Sequence, residues 1–143
     1  MCSSDLAASK ALEFEWRPSK GALNGTGVLG HILNDNVGGY TFRFCKHNPR
    51  PYGCTVTDGS EAAAPAGPSV GVQEAAAALV DSVAQRLRVY SHPADVLVLY
   101  GEDFAFQDAP LPFDNMEKVM AYVNARQPSF GLRIVYSTPA AYF

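Results

Sequence analysis

Two adjacent carboxylates, Glu102 and Asp103, are the side chains whose type and position could do acid–base chemistry. They come directly after Gly101, which ends an apolar run, residues 96–100, without internal alternation. Such a run predicts a strand buried on both faces of a parallel sheet. Parallel α/β proteins keep catalytic groups at the carboxyl ends of their strands, so the pair is the candidate site. Two simpler interpretations stay open, because aspartate commonly caps a loop and Glu102 could be a solvated charge.

Two cysteines, Cys45 and Cys54, with His47 between them, form a second group of chemically capable residues. Three such residues could begin a zinc site, but structural zinc normally takes four ligands in tighter pairs. A disulfide or two unpaired thiols therefore fit the spacing better than a metal site.

Composition excludes several classes of protein. With 143 residues, 48% apolar, the chain is long enough for one folded domain and too short for a closed (β/α) barrel of ~250 residues. The net charge is −3 without a basic cluster, so nucleic-acid binding is not expected. No apolar run approaches ~18 residues, so this stretch predicts no transmembrane segment. Residues 1–9 lack the apolar core of a secretory signal and are interpreted as an artefact or a disordered leader.

The first third of the chain predicts two short strands. Residues 11–17 alternate apolar and charged side chains, which predicts a strand with one buried face. Residues 28–33 form a second apolar segment and contain His31, which we expect to be a hydrogen-bonded structural group. The apolar face of the first strand consists of Leu12, Phe14 and Trp16.

Residues 34–52 and 57–71 are predicted to be loops, because turn-forming residues recur in the first and small residues dominate the second. Loops of this length in compact domains are usually functional or disordered. Tyr40, Phe42 and Phe44 alternate and could form an edge strand or line the mouth of a site.

Two helices are predicted on either side of the candidate site. Residues 72–90 carry apolar side chains at three- and four-residue steps, and Pro93 follows them. Asp114 and Glu117 have capping-box spacing for a second helix that extends through Arg126. The apolar stripe of this second helix consists of Met116, Val119, Met120 and Val123.

The C-terminal third predicts a strand–loop–helix–strand unit. Residues 132–136 form another apolar segment, so residues 94–136 would contain two parallel strands joined by a right-handed crossover. Thr138 and Pro139 suit the N-cap and the first position of a last helix. The predicted fold class is α/β, an incomplete (β/α) barrel fragment with mostly parallel strands, because three or four such strands without closure would leave sheet edges exposed.

Six groups of residues along positions 10–143 form short motifs. They are, in chain order, Leu12-Glu13-Phe14-Glu15-Trp16-Arg17, Gly27-Val28-Leu29, Val72-Gln73-Glu74, Gly101-Glu102-Asp103-Phe104, Asn115-Met116-Glu117-Lys118 with Tyr122-Val123-Asn124-Ala125, and Tyr136-Ser137-Thr138-Pro139. In order and spacing, though not singly, they resemble the motifs of glycoside hydrolase family 38, the α-mannosidases. Residues 10–143 are therefore identified as part of an N-terminal catalytic domain of this family.

The resemblance implies a zinc-dependent retaining exo-α-mannosidase that hydrolyses α-linked mannose in N-glycans. Asp103 occupies the position of the aspartate in the family's Gly-x-Asp-Phe motif, which serves as the general acid/base. Glu102 stands where Golgi-type members use an acid to contact the glycan, and Phe104 completes the motif, so both are expected to bind substrate. A mannose-containing glycan is the implied partner. The implied location is the secretory-pathway lumen, in a lysosome, a vacuole or the Golgi, with which the glycosylation pattern Asn24-Gly25-Thr26 is consistent.

The departures from the family pattern concern the metal and the nucleophile. The sequence contains neither the family's His-x-Asp pair of zinc ligands nor its nucleophile motif, so no metal ligand is assigned in this chain. Ala105 stands where some members carry arginine, and residues 34–39 match the substrate-contacting loop poorly. The isolated chain is therefore expected to be inactive although the parent protein is expected to be an enzyme. The alternative is a non-catalytic carbohydrate-binding or decayed mannosidase-like fragment.

Overall fold

The computed structural model describes residues 10, 12–17, 27–32, 42–45, 54–63, 65–90, 95–101 and 105–142. The chain forms two compact units, which are treated separately below. Unit 1 comprises Met1–Tyr40, Val83–Leu97 and Ser137–Phe143, and unit 2 comprises Thr41–Ser82 and Val98–Tyr136. Residues 1–9, interpreted above as a leader, lie outside the described residues.

The described residues form short strands and four helices. In chain order the elements are β1 (Glu13–Trp16), β2 (Val28–His31), β3 (Thr55–Thr57), β4 (Ser69–Gly71), α1 (Val72–Arg86), α2 (Pro110–Asn124), α3 (Gln127–Phe130) and α4 (Pro139–Tyr142). β1 pairs with β2 antiparallel and β3 with β4 parallel, so the α/β class is confirmed in a mixed form, and the expected parallel pairing is found in one of the two described sheets. Across the described ranges there is no closed barrel. None of the helices described is long and apolar enough to cross a membrane.

β1 and β2 form where strands were predicted, but the expected buried face is wrong. Leu12, just before β1, is fully buried, whereas Phe14 is 38% and Trp16 is 53% exposed. The reason is that, among the described elements, none packs extensively on this sheet apart from its own two strands. Phe14 is covered in part by Gly30, its cross-strand partner, where an added Cβ would lie 2.9 Å from the Cζ atom of the ring.

Val72, Ala76 and Leu79 of α1, which recur at three- and four-residue steps as predicted, lie in the core of unit 2. The apolar spacing predicts the start of α1 at Val72 correctly, but the helix ends at Arg86, four residues before the predicted end. The amides of Val89 and Tyr90 both donate to the Arg86 carbonyl, at 3.0 and 3.1 Å, and these bonds turn the chain after the helix. The buried core of unit 2 consists of Phe42, Phe44, Val56, Val72, Ala75, Ala76, Leu79, Val119 and Val123.

The predicted loop at residues 57–71 is wrong at both ends. Thr57 ends β3 and Ser69–Gly71 is β4, and the two strands pair in parallel with Val56 opposite Val70. The Thr57 hydroxyl donates to the Val70 carbonyl at 3.3 Å, so a side chain reinforces the pair. β-Branched residues favour such strands, but small residues dominate the segment, and for that reason a loop was predicted in place of the two strand ends.

The strand predicted at residues 96–100 is also wrong. These residues are half-buried, and within the described part only Tyr100 forms a β-bridge, in parallel with Phe42. The Phe42 amide donates to the Leu99 carbonyl at 2.7 Å. A buried central strand needs neighbours along both edges, and here the described residues supply one bridge on one edge.

α2 begins before its predicted cap. Its N-cap is Ala109, which makes no side-chain cap bond, and Pro110 supplies the pre-shaped first position. The capping-box prediction for Asp114 is therefore wrong, and Asp114 instead pairs with Lys118 one turn later at 3.0 Å. In the predicted apolar stripe, Val119 and Val123 are fully buried, and the two methionines are half-buried.

The strand predicted at residues 132–136 does not form. The backbone of Ile134 is instead hydrogen-bonded to the Asn124 side chain, which accepts from the Ile134 amide at 2.8 Å and donates to the Ile134 carbonyl at 2.9 Å. The prediction for the last helix is confirmed: α4 begins at Pro139, and the Thr138 hydroxyl accepts from the Ala141 amide at 3.2 Å. This is the bond expected of an N-cap threonine.

Candidate active site

The three predicted site residues, Glu102, Asp103 and Phe104, lie outside the described residues. The residues on both sides of them are described. Gly101 precedes the segment and is half-buried, and Ala105 follows it and is 8% exposed. The ends of the acid-bearing segment therefore belong to the packed part of unit 2.

Gly101 has a backbone that only glycine adopts readily. Its φ is +113°, a conformation that L side chains rarely take. A Cβ added there would also lie 2.5 Å from the Cε2 atom of Phe106 and 3.0 Å from its Cζ atom. The glycine before the carboxylates is therefore required twice, by its dihedral angle and by the aromatic ring against it.

A series of aromatic rings in unit 2 includes Phe106, the ring that lies against Gly101. Phe44 lies 5.2 Å from Phe42 and 5.2 Å from Tyr100, measured between ring centroids. Phe106 lies 6.3 Å from Tyr100 and 5.5 Å from Phe113, the latter on α2. Offset and edge-to-face pairs at these separations stabilise beyond the apolar area they bury.

A disulfide ties the segment that carries Phe42 and Phe44 to β3. The bond joins Cys45 and Cys54, which confirms the disulfide among the alternatives left open by the sequence. Cys54 is 1% exposed, so the link is buried within unit 2. The disulfide holds Phe42, the bridge partner of Tyr100, beside β3, the strand that packs on α2.

Asn115 of α2 fixes β3 from the other side. It is 1% exposed; its Nδ2 donates to the Cys54 carbonyl at 2.7 Å, and its Oδ1 accepts from the Val56 amide at 2.7 Å. Sequence reasoning missed this role. The signal was available, because Asn115 lies at four-residue steps from Val119 and Val123 and is thus a polar residue on a buried stripe.

Lys118, one turn beyond Asn115, binds the same strand and its loop. Its ammonium donates to the Val56 carbonyl at 3.1 Å and to Glu61 at 2.9 Å. The hydrogen bond from Lys118 lowers the pKa of Glu61 to about 2, and the bond to Glu61 raises the pKa of Lys118. Both groups therefore stay charged through the neutral range, which indicates a structural pair rather than a proton donor.

Unit 1 contains a separate polar cluster. The Glu13 carboxylate accepts from the Tyr142 hydroxyl at 2.7 Å and lies 3.0 Å from His31 Nδ1. His31 stacks on Tyr90 at 4.7 Å, and Tyr90 donates to the Ile32 carbonyl at 3.0 Å. Burial and the bond to Glu13 raise the pKa of Tyr142. The prediction that His31 is a hydrogen-bonded structural group is confirmed.

Comparison with known proteins shows the family of this chain. The model of the glycosyl hydrolases family 38 N-terminal domain matches residues 3–143. The chain belongs to family 38 of the glycosyl hydrolases. It is similar to alpha-mannosidase B of Dictyostelium discoideum, with 31% identity over 96% of this chain and 13% of that protein.

Two further relatives match shorter parts of this family 38 chain. Alpha-mannosidase C of Dictyostelium discoideum is 37% identical over 46% of this chain and 6% of its own length. The lysosomal alpha-mannosidase of the same organism is 38% identical over 34% of this chain and 5% of its own length. No solved structure matches the chain significantly. The chain thus spans a small fraction of the curated relatives that it matches.

No metal site is found among the described residues of this family 38 chain. In the described ranges, no three His, Cys, Asp or Glu side chains lie together as metal ligands would. Cys45 and Cys54 are committed to a disulfide, and His47 lies outside the described residues.

Proposed function

We propose that this chain is the part of a retaining exo-α-mannosidase that carries the general acid/base, Asp103. The observation that carries the proposal is the family 38 match over residues 3–143, in which Asp103 stands in the Gly-x-Asp-Phe motif. The α-mannosidase names of the relatives support the substrate class. The substrate is then an α-linked mannose at the end of an N-glycan.

The chemistry requires two carboxyl groups. A retaining glycosidase needs an acid that protonates the departing glycosidic oxygen, and a second carboxylate, about 5–5.5 Å away, that forms the glycosyl-enzyme. Asp103 is the acid in the first step, and its carboxylate then takes a proton from the attacking water in the second step. The nucleophile belongs to the parent protein beyond the motifs present in this chain.

Glu102 and Phe104 are proposed to bind substrate beside Asp103. A carboxylate can accept hydrogen bonds from sugar hydroxyls, and an aromatic ring can pack on the apolar face of a pyranose. Of their neighbours in sequence, Gly101 is half-buried and Ala105 is 8% exposed, and both belong to unit 2.

The parent enzyme is proposed to need zinc, with all of its ligands outside this chain. The proposal rests on the family, because no metal site is found among the described residues. No step of the chemistry assigned to Asp103 passes through the metal.

The fold proposed for the parent is a (β/α) barrel of which this chain is an incomplete part. The parallel pairing of β3 with β4 and the parallel bridge between Phe42 and Tyr100 support it. The proposed location is the secretory-pathway lumen, in a lysosome, a vacuole or the Golgi. Support comes from the lysosomal name of one relative and from the buried Cys45–Cys54 disulfide, a bond typical of oxidising compartments.

Asp103→Asn in the complete enzyme tests the proposal. A leaving group that departs as a stable anion needs no proton, whereas an ordinary mannoside does. We expect kcat/KM to fall by about 10²–10⁴-fold for methyl α-mannoside and by much less for 2,4-dinitrophenyl α-mannoside. Full activity of the variant on the methyl mannoside would contradict the assignment.

The second candidate is a non-catalytic carbohydrate-binding or decayed mannosidase-like fragment. It is favoured by the absence from this chain of a His-x-Asp pair and of a nucleophile motif. The complete coding sequence separates the two candidates. An enzyme requires both motifs in the parent, and the fragment hypothesis predicts that they are missing there. The isolated 143-residue chain is expected to hydrolyse no mannoside under either candidate.

A further inference from the structure

The carboxylate of Glu61, in the loop that follows β3, is bound on both of its oxygens. Its Oε1 accepts from the Asp58 amide at 3.1 Å and from the Lys118 ammonium at 2.9 Å. Its Oε2 accepts from the Gly59 amide at 3.0 Å. Gly59 has a φ of +90°, and consecutive amides in turns of this kind form a concavity that binds anions. The anion held here is the loop's own carboxylate.

Lys118 joins this carboxylate to the strand and the helix beside it. Its ammonium also donates to the Val56 carbonyl of β3 at 3.1 Å and lies 3.0 Å from the Asp114 carboxylate of α2. The side chains of Lys118 and Glu61 are 15% and 19% exposed, so the pair is largely covered. All of these residues belong to unit 2. The loop is therefore tied to β3 and to α2 through one ammonium group.

The charged groups around Glu61, in the part of the chain that the structure describes, are Lys118 and Asp114 on α2 and Asp58 in its own loop. The Asp58 carboxylate accepts from the hydroxyl and the amide of Ser60, at 2.6 and 3.0 Å, and these bonds lower the pKa of Asp58. The hydrogen bond from Lys118, together with those from the loop amides, lowers the pKa of Glu61 to about 2. Both loop carboxyl groups therefore stay charged at a pH at which an ordinary exposed carboxyl group takes up a proton.

We propose that Glu61 and Lys118 form an acid-resistant latch that keeps the loop at residues 58–61 bound to β3 and α2 in an acidic compartment. A group whose folded-state pKa is lowered stabilises the fold above its unfolded value, and this contribution disappears as the pH falls through the folded value. For Glu61 the two values are 4.5 and about 2, so most of the contribution is still present at pH 4.5. The use of the latch in a lysosome or a vacuole rests on the proposed location, whereas the latch itself is a property of unit 2.

The test is Glu61→Gln in the complete enzyme, followed by hydrogen–deuterium exchange of the β3 amides at pH 7, pH 4.5 and pH 2.5. Glutamine keeps the size of the side chain and removes its charge. Labelling times are scaled to the chemical exchange rate at each pH, and the measured quantity is the exchange rate of the variant divided by that of the wild type. We expect a ratio of about 10–30 at pH 7 and at least about half of that at pH 4.5, with a fall toward 1 only below about pH 3.

Asp114→Asn is the matched control, because Asp114 contacts the same ammonium group at 3.0 Å. Its side chain is 55% exposed, compared with 19% for Glu61, and exposed ion pairs contribute little to stability. The ratio for Asp114→Asn should therefore stay below about 3 at each pH. Lys118→Met removes the ammonium group and keeps most of the stem, and it takes the place of Glu61→Gln if the glutamine variant does not fold.

Three results would overturn the inference. A ratio near 1 at pH 7 for Glu61→Gln would mean that the carboxylate holds nothing, and a ratio that has already fallen to near 1 at pH 4.5 would mean that the latch is not acid-resistant. A ratio for Asp114→Asn as large as that for Glu61→Gln would mean that any carboxylate near Lys118 has the same effect. None of these exchange rates depends on catalysis, so a failure of the role proposed for Asp103 would leave them unchanged.

Discussion

The two strand pairs of the molecule differ in how side chains support them. In unit 2, Val56 of β3 is fully buried, and Asn115 of α2 binds the backbone on both sides of the strand's first residue. In unit 1, Trp16 of β1 is 53% exposed, and the supporting contact is between side chains, Glu13 with His31 and Tyr142.

The comparison shows how a helix can replace a missing strand. A two-stranded sheet is marginal in water, because its outer edges leave amides and carbonyls without partners in the sheet. Asn115 supplies β3 with the donor and acceptor that a third strand would supply. In β1, Tyr142 of α4 instead donates a hydrogen bond to the side chain of Glu13. We therefore expect β3 to depend more strongly on its helix than β1 does.

The largest expected effect is that of Asn115→Ala. It leaves the Val56 amide and the Cys54 carbonyl buried without their partner, at about 1–3 kcal/mol each. Hydrogen–deuterium exchange should show faster exchange of the β3 amides, with local opening easier by about 2–4 kcal/mol. Asn124→Ala is the matched control, because Asn124 makes the same two bonds to Ile134 from a half-buried position. An effect at Asn115 no larger than that at Asn124 would contradict the comparison.

A smaller effect is expected for Tyr142→Phe, which removes one hydrogen bond to a carboxylate that is 9% exposed. Bonds to charged groups contribute about 1.5–3 kcal/mol, and Glu13 keeps its contact with His31, so the loss should be near the lower limit. Thermal unfolding measures it. The control is Tyr136→Phe, which removes a bond to Glu117 from a tyrosine that is 54% exposed and should shift Tm less.

The charged pair of Glu61, in the loop after β3, and Lys118 of α2 predicts a pH dependence of stability. Glu61 has its pKa lowered from 4.5 to about 2 by the hydrogen bond from Lys118. A lowered folded-state pKa contributes stability that is present above the unfolded value and is lost as the pH falls through the folded value. The Tm of Glu61→Gln should therefore fall less steeply than that of the wild type between pH 4.5 and about 2. Parallel Tm curves for the two proteins would show that Glu61 does not titrate as described.

The smallest effect is expected for Trp16→Ser. A side chain that is 53% exposed on a two-stranded sheet should change the free energy of unfolding by less than about 0.5 kcal/mol. Val119→Ala, at a fully buried position of α2, should cost about 1–3 kcal/mol in the same measurement. Comparable losses in the two variants would mean that the Trp16 face is covered in the protein.

Local signals in the sequence were predictive where a few neighbouring residues decide the structure. Thr138 caps α4 because its hydroxyl reaches an amide three residues on, and the apolar stripe locates α1. The strand expected at residues 96–100 and the capping box at Asp114 failed, because each depends on which distant segment takes the hydrogen bonds.

The candidate site was predictable from motifs rather than from periodicity. The order of the motifs identified the family that the domain match confirms, and it assigned Asp103 a role that remains a proposal. The glycine permits the observed φ of +113°, but the sequence pattern did not predict that the ring of Phe106 would lie against Gly101, because that contact depends on packing rather than on a local residue preference.

Chemical rescue tests the central claim most directly, that Asp103 is the general acid/base. Asp103→Ala in the complete enzyme, assayed on 2,4-dinitrophenyl α-mannoside, should accumulate the glycosyl-enzyme because no base activates water. Azide is already an anion and needs no base, so it should attack the intermediate, raise the turnover and release α-mannosyl azide. Turnover that azide leaves unchanged, or β-mannosyl azide as the product, would contradict the assignment, because the β product would make Asp103 the nucleophile.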